Sequence, residues 1–257
     1  MNKNTYESFC KIKEAYKKFV RETAASFPRL SDLQQELANS RAGRPYIVET
    51  PVVYNNALDA VTVNDEIKII LVADNPGKKE QEASVRSYLT GASGKLAERF
   101  FKMNGALGVD FRKNVIILNK TPIHTPRTNE LKTLCKNSGS AHLKNIIDES
   151  QRFCAQTAFD FWRIFKNENR EAQVWITGYC EMKKNGVFEA YRQKLLDISQ
   201  KNGLFYDSIF IFRHFSMNQF TIDLNKKRPQ FKDVKETLEQ TGIEYRKKVL
   251  PLQRLCG

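Results

Sequence analysis

The sequence predicts an α/β protein, a mostly parallel sheet with helices on both faces. Three observations predict it. Four short, almost continuous apolar runs recur along the chain, the pattern of strands covered on both sides. Stretches with apolar residues at helical spacing separate them, as strand–helix alternation requires. The 257 residues suit one such domain, residues 1–257, with residues 1–64 as a helical N-terminal extension.

The elements are taken in chain order. Over residues 6–27, Phe9, Ile12, Ala15, Tyr16, Phe19 and Val20 share a helical face and lysines fill the other. Pro28 ends this helix, and Ser31-Asp32 can cap a short second one. Residues 42–64 hold two prolines and mixed polarity, which predicts a long connection. The four strands are expected at 67–72, 114–118, 173–177 and 208–212. Helices are expected at 93–103, 142–165, 188–199 and 232–249.

Composition narrows the partners. Hydrophobic residues at 41% and charged residues at 28% are ordinary globular values and exclude disorder. The net charge of +13, from 42 Lys plus Arg against 29 Asp plus Glu, favours a polyanionic partner. Cys10, Cys135, Cys154, Cys180 and Cys256 form no C-x-x-C pair and are odd in number, so free thiols are expected rather than disulfides, zinc or an iron–sulfur cluster. No stretch reaches the ~20 apolar residues of a membrane span, and the N-terminus lacks an apolar leader core. The expectation is a soluble, cytoplasmic monomer without a cofactor or metal.

In sheets of this kind ligands bind beyond the carboxyl ends of the strands. Those ends carry Ala73-Asp74-Asn75-Pro76-Gly77, Asn119-Lys120-Thr121-Pro122, Gly178-Tyr179-Cys180 and Arg213-His214-Phe215-Ser216-Met217-Asn218. An acid, two carboxamides and an imidazole would share one pocket. A carboxamide presents a donor and an acceptor together, which suits a nucleobase edge. A carboxylate can orient water, and a neutral imidazole can stabilise a departing anion. Taken singly, each has a plainer reading: Asn75-Pro76-Gly77 makes a good turn, Asn119 can bond local backbone, and His214 can be a structural histidine. Their joint placement gives the pocket its weight.

These motifs resemble the uracil-DNA glycosylase superfamily. Asp74-Asn75-Pro76-Gly77 looks like its N-P-G version of motif one, and Glu80 matches a P-G-x-x-E continuation. Residues 86–96 resemble its G-x-P-F-V-G-x-A-G-x-L-L segment, Gly178 fits L-G-x-x-A, and His214-Phe215-Ser216 resembles H-P-S. The resemblance runs from about residue 67 to 218.

It implies a three-layer α/β/α sandwich around a four-stranded parallel sheet, and hydrolysis of an N-glycosidic bond of uracil or a related damaged base in DNA. The partner would be DNA, single-stranded or mismatched. Asp74 or Asn75 would position the attacking water, Asn119 would read the base edge, and His214 would stabilise the leaving anion. Tyr88 would stack on the flipped base; core packing is the other reading of this residue. Ser216 would contact a phosphate, Met217 would wedge into the vacated stack, and Lys78 would meet phosphate or simply solvent. Two positions depart from the pattern. Ala73 replaces the leading glycine, and Phe215 replaces a proline, loosening the turn or adding a wedge. They leave room for an inactive glycosylase-like nucleic-acid-binding protein, and a small-molecule nucleoside hydrolase is a third reading.

Overall fold

A computed structural model describes residues 1–40, 45–169 and 171–252. Cys256 and the start of the 42–64 connection (residues 42–44) lie outside the described residues.

Four parallel strands form the sheet: β1 (Ile69–Ala73), β2 (Val115–Asn119), β3 (Gln173–Thr177) and β4 (Ile209–Phe212). Their order is β2-β1-β3-β4. Every strand is short and β-branched or aromatic, and the alternation of side chains feeds two separate cores. Ile70, Val72, Ile116, Leu118, Val174, Ile176, Ile209 and Ile211 face one core. Ile69, Leu71, Ala73, Val115, Ile117, Trp175, Phe210 and Phe212 face the other. The expected three-layer α/β/α sandwich is therefore present.

The first core is covered by α1 (Lys3–Ala25), α2 (Leu30–Asn39), α4 (Glu130–Ser138), α5 (Ala141–Glu168), α6 (Glu189–Lys201) and α7 (Gly203–Asp207). The second is covered by α3 (Ala92–Met103), α8 (Gln219–Lys227) and part of α9 (Val234–Val249). The N-terminal helix is built into the first layer: Phe9 lies 5.4 Å from Phe161 of α5, and Phe19 stacks on Phe153 at 3.8 Å. Its cap is Asn2, whose side chain accepts from the Thr5 N–H. The second helix begins at Leu30, so Ser31 and Asp32 stand inside its first turn rather than at its cap; Asp32 there favours the helix dipole.

Each sheet edge is covered in part by neighbouring segments, which limits the exposure of unpaired strand groups. Arg246 of α9 donates to the Ile209 carbonyl on the β4 side. On the β2 side Asn55 donates to the Ile117 carbonyl, and Val52 bridges Ile123 in antiparallel fashion. The 45–64 stretch is thus an ordered strap along β2, with a short 3-10 turn at Asn56–Ala60.

The topology selects one place for chemistry. The chain leaves β1 for β2 on one side and later returns to pair β3 on the other. In sheets of this kind such a reversal marks the place where ligands bind, the crevice beyond the carboxyl ends of the strands.

Candidate active site at the carboxyl ends of the strands

At that crevice β1 and β2 end in register, with Ala73 beside Asn119. The Lys120 N–H is shared between the Ala73 and Asp74 carbonyls, at 3.0 Å each, which fixes the start of the Asp74 loop against β2. Lys120, to which the sequence motifs give no role, stands at the centre of the site.

Its side chain is fully buried. The ammonium donates to Asp74 Oδ1 at 2.6 Å and to the Thr177 carbonyl at 2.5 Å, and stands 4.8 Å from the Phe188 ring centre. Burial pulls this lysine below its ordinary value, and the Asp74 carboxylate resists that pull. One ion pair therefore ties the ends of β1, β2 and β3 together. The sequence did not single this residue out, since a lysine just past a strand is ordinarily a solvated one and carries no mark of burial.

Asp74 is buried as well, and its second oxygen accepts from the Thr128 hydroxyl at 3.1 Å. Gly178 makes room for it. A Cβ at that position would lie 2.2 Å from Asp74 Oδ1, and the backbone there has φ +78°. Close approach and left-handed backbone both require glycine. Asn75 points elsewhere: its amide nitrogen donates to the Thr125 carbonyl at 2.9 Å and to the Thr125 hydroxyl oxygen at 2.8 Å. The two neighbours thus serve different ends of the same loop.

His214 follows β4 and is half-buried. Its Nδ1 accepts the Ser216 backbone N–H at 3.0 Å, so the neutral ring carries its proton on Nε2. Burial lowers its affinity for a second proton. The Asp74 charge opposes that effect and the Lys120 charge adds to it, so His214 senses both partners of the ion pair. The result is a neutral imidazole with one N–H available for donation.

Asn119 is 1% exposed, and neither its carboxamide nitrogen nor its oxygen has a hydrogen-bond partner among the described residues. An orphaned buried donor and acceptor on one side chain costs a few kcal/mol unless something supplies the complement.

The loop after β1 is stiffened from behind. Buried Glu80 accepts from the Gly77 and Leu89 N–H groups at 3.3 and 3.0 Å, and burial pushes its carboxyl up to about 7. Buried His124 holds the Pro76 carbonyl through Nδ1 at 2.8 Å and the Tyr46 hydroxyl through Nε2 at 2.9 Å.

Two expectations are corrected. Tyr88 does not present a face to the crevice. It is 1% exposed, and its hydroxyl meets the Tyr16 hydroxyl at 2.8 Å and the Val53 carbonyl at 2.5 Å. The N-terminal helix supplies the partner that draws this tyrosine inward, so it acts as a core residue. Phe215 is no wedge: it is buried and stacks on Phe220 at 4.3 Å, pinning the loop after β4 to α8.

The remaining positions lie at the rim. Ser216 is half-buried. Met217 is 80% exposed and, with Asn218, has left-handed backbone (φ 51° and 56°). Lys78 is exposed with its ammonium 4.8 Å from the Tyr46 ring centre. Further cations stand after every strand: Lys79 after β1, Arg127 after β2, Lys183 and Lys184 after β3, and Arg213 after β4. A cleft of about 440 Å³ lies at the opposite end of the sheet among Ile69, Trp175, Phe210 and the acids Glu66, Glu171 and Glu239, away from all of these groups.

Compared with protein-family models, curated proteins and solved structures, the chain has no significant match to any. Among the described residues, no three His, Cys, Asp or Glu side chains gather closely enough to hold a metal ion, and no helix is long and apolar enough to cross a membrane. Cys10, Cys135, Cys154 and Cys180 are free thiols.

Proposed function

We propose that this protein is a monofunctional DNA glycosylase that releases uracil or a related damaged base by water attack on C1′. The observation that carries the reading is the Asn119 carboxamide, buried at the carboxyl end of β2 beside the Asp74–Lys120 pair and without a hydrogen-bond partner among the described residues. Its donor and acceptor complement the adjacent carbonyl and N–H on one edge of uracil, hypoxanthine or xanthine. His214, neutral and donating through Nε2, meets the charge that develops on the base as the glycosidic bond breaks.

Asp74 and Asn75 divide the remaining work. Asp74, held by Lys120 and Thr128, is the fixed negative charge beside the sugar as it becomes cationic. Asn75, with its nitrogen anchored on Thr125, leaves its carbonyl oxygen as the acceptor that orients water. Extruding a base costs a few kcal/mol, which the rim of cations and exposed Met217 help to offset. Ser216 and Lys78 sit where phosphates of the same strand would pass. On this reading the protein works as a monomer in the cytoplasm and needs no cofactor.

A second reading, a glycosylase-like DNA-binding protein without turnover, is favoured by one observation: both Asp74 oxygens already have protein partners. The test is incubation with end-labelled single- and double-stranded oligonucleotides carrying uracil, hypoxanthine or xanthine, followed by alkali. Strand cleavage that is strongly slowed in Asn75→Ala and His214→Ala supports the enzyme. Salt-sensitive binding with no cleavage of any substrate supports the binding protein instead.

A further inference from the structure

The C-terminal helix α9 plays no part in the pocket, yet it meets the pocket's edge through an aromatic pair. Tyr179, next to Gly178, stacks on Tyr245 of α9 with centroids 4.5 Å apart and planes 13° from parallel. Cations from four different segments gather on these two rings. Lys183 and Arg213 stand 5.5 and 5.9 Å from the Tyr179 centroid, and Lys227 and Lys248 stand 4.2 and 5.4 Å from that of Tyr245. Arg213 immediately precedes His214, and Gly178 touches Asp74, so the group begins at the pocket and runs outward over α8 and α9.

Four cations converge here, and among the described residues two carboxylates pair with them. Asp223 accepts the Tyr245 hydroxyl at 2.9 Å and lies 3.5 Å from Arg213. Glu244 binds Lys227 at 2.7 Å and also pairs with Lys248. Clustering like charges is unfavourable unless an anion is to be met, and ring faces hold the cations in place at little cost. Cations fixed in this way lose less side-chain entropy when a phosphate arrives.

We infer that the Tyr179–Tyr245 pair and its four cations form a docking surface for consecutive phosphates of a DNA strand leaving the pocket. This rests on the reading of the protein as one that acts on DNA. It assigns α9 the part of a phosphate guide beside the site.

The test uses the full chain and an undamaged oligo-dT strand, with fluorescence anisotropy read across a salt series. For single strands the slope of log affinity against log salt is about −0.7 per phosphate contact. Lys183→Ala/Lys248→Ala, with its fold verified by thermal melting, is expected to make the slope shallower by about 1.4, the loss of two contacts. Glu244→Gln leaves Lys227 and Lys248 without their acid and is expected to tighten binding and steepen the slope. Lys11→Ala/Lys18→Ala, exposed on α1 and away from this surface, controls for loss of bulk charge. An unchanged slope in Lys183→Ala/Lys248→Ala, an equal loss in the α1 control, or weaker binding by Glu244→Gln overturns the inference. Base release from a uracil-bearing strand is scored separately. Release without the slope change sinks this surface alone, and the slope change without release sinks the glycosylase reading alone.

Discussion

Removing the Lys120 ammonium while keeping its volume, as in Lys120→Met, should be among the most damaging single changes in the protein. The ammonium is fully buried, and the Asp74 side chain that it neutralises is 12% exposed. Without Lys120, Asp74 retains only the Thr128 hydroxyl among its hydrogen bonds and becomes a buried, uncompensated charge. Breaking a buried pair from one side costs about 3–5 kcal/mol, and this one also loses its bond to the Thr177 carbonyl. Asp74→Asn/Lys120→Met, which buries neither charge, should be less destabilised than the sum of the two single variants by about 1–3 kcal/mol. Urea unfolding measures all of this. A Lys120→Met cost below ~1 kcal/mol, or no coupling between the two substitutions, would rule out a buried pair here, because a solvated pair behaves that way.

Three further outcomes are expected. Gly178→Ala places a methyl 2.2 Å from Asp74 Oδ1 at φ +78°. It should cost about 1–3 kcal/mol by chemical denaturation and abolish base release, and a neutral effect would show that the carboxylate is not where it is described. Glu80 binds its proton more tightly folded (about 7) than its ordinary 4.5, so its contribution is full below about pH 4.5 and is lost as pH rises through 7. That displacement corresponds to roughly 3 kcal/mol, and Glu80→Gln should flatten the fall in stability across this window. On the proposed reading base release would require neutral His214, whose proton affinity is lowered. The acid limb of the rate profile should lie below pH 6.5 and be absent from the residual activity of His214→Ala; a limb above 6.5 would contradict the assignment.

The strands were legible because burial on both faces leaves nearly pure apolar runs. The run at 173–177 coincides with β3, the run at 208–212 ends with β4 and starts one residue early, and the bounds of the other two move by one or two residues. The long helices were legible from periodicity. The short helices Glu130–Ser138, Gly203–Asp207 and Gln219–Lys227 were not, since their few turns are held by tertiary packing rather than by pattern. The strand-end rule placed Asp74, Asn119 and His214 at one end of the sheet, because topology alone fixes where strands finish. Contacts made over long sequence separation could not be read. Tyr88 is turned inward by Tyr16, 72 residues away, and Lys120 reaches Asp74 across 46. A tyrosine or a lysine carries no local mark of the partner that will bury it.

If Asn119 reads a base that His214 then helps to release, a single-turnover assay should show both roles at once. The substrates are strands carrying uracil, hypoxanthine or xanthine, and the free base is detected by chromatography. The full chain should release at least one of these bases. His214→Ala should slow the release by about 10²–10³-fold, as removal of one oxyanion donor does, and Asn119→Ala should abolish discrimination between the damaged base and cytosine. No base released from any strand, or release that survives both substitutions unchanged, would contradict these roles.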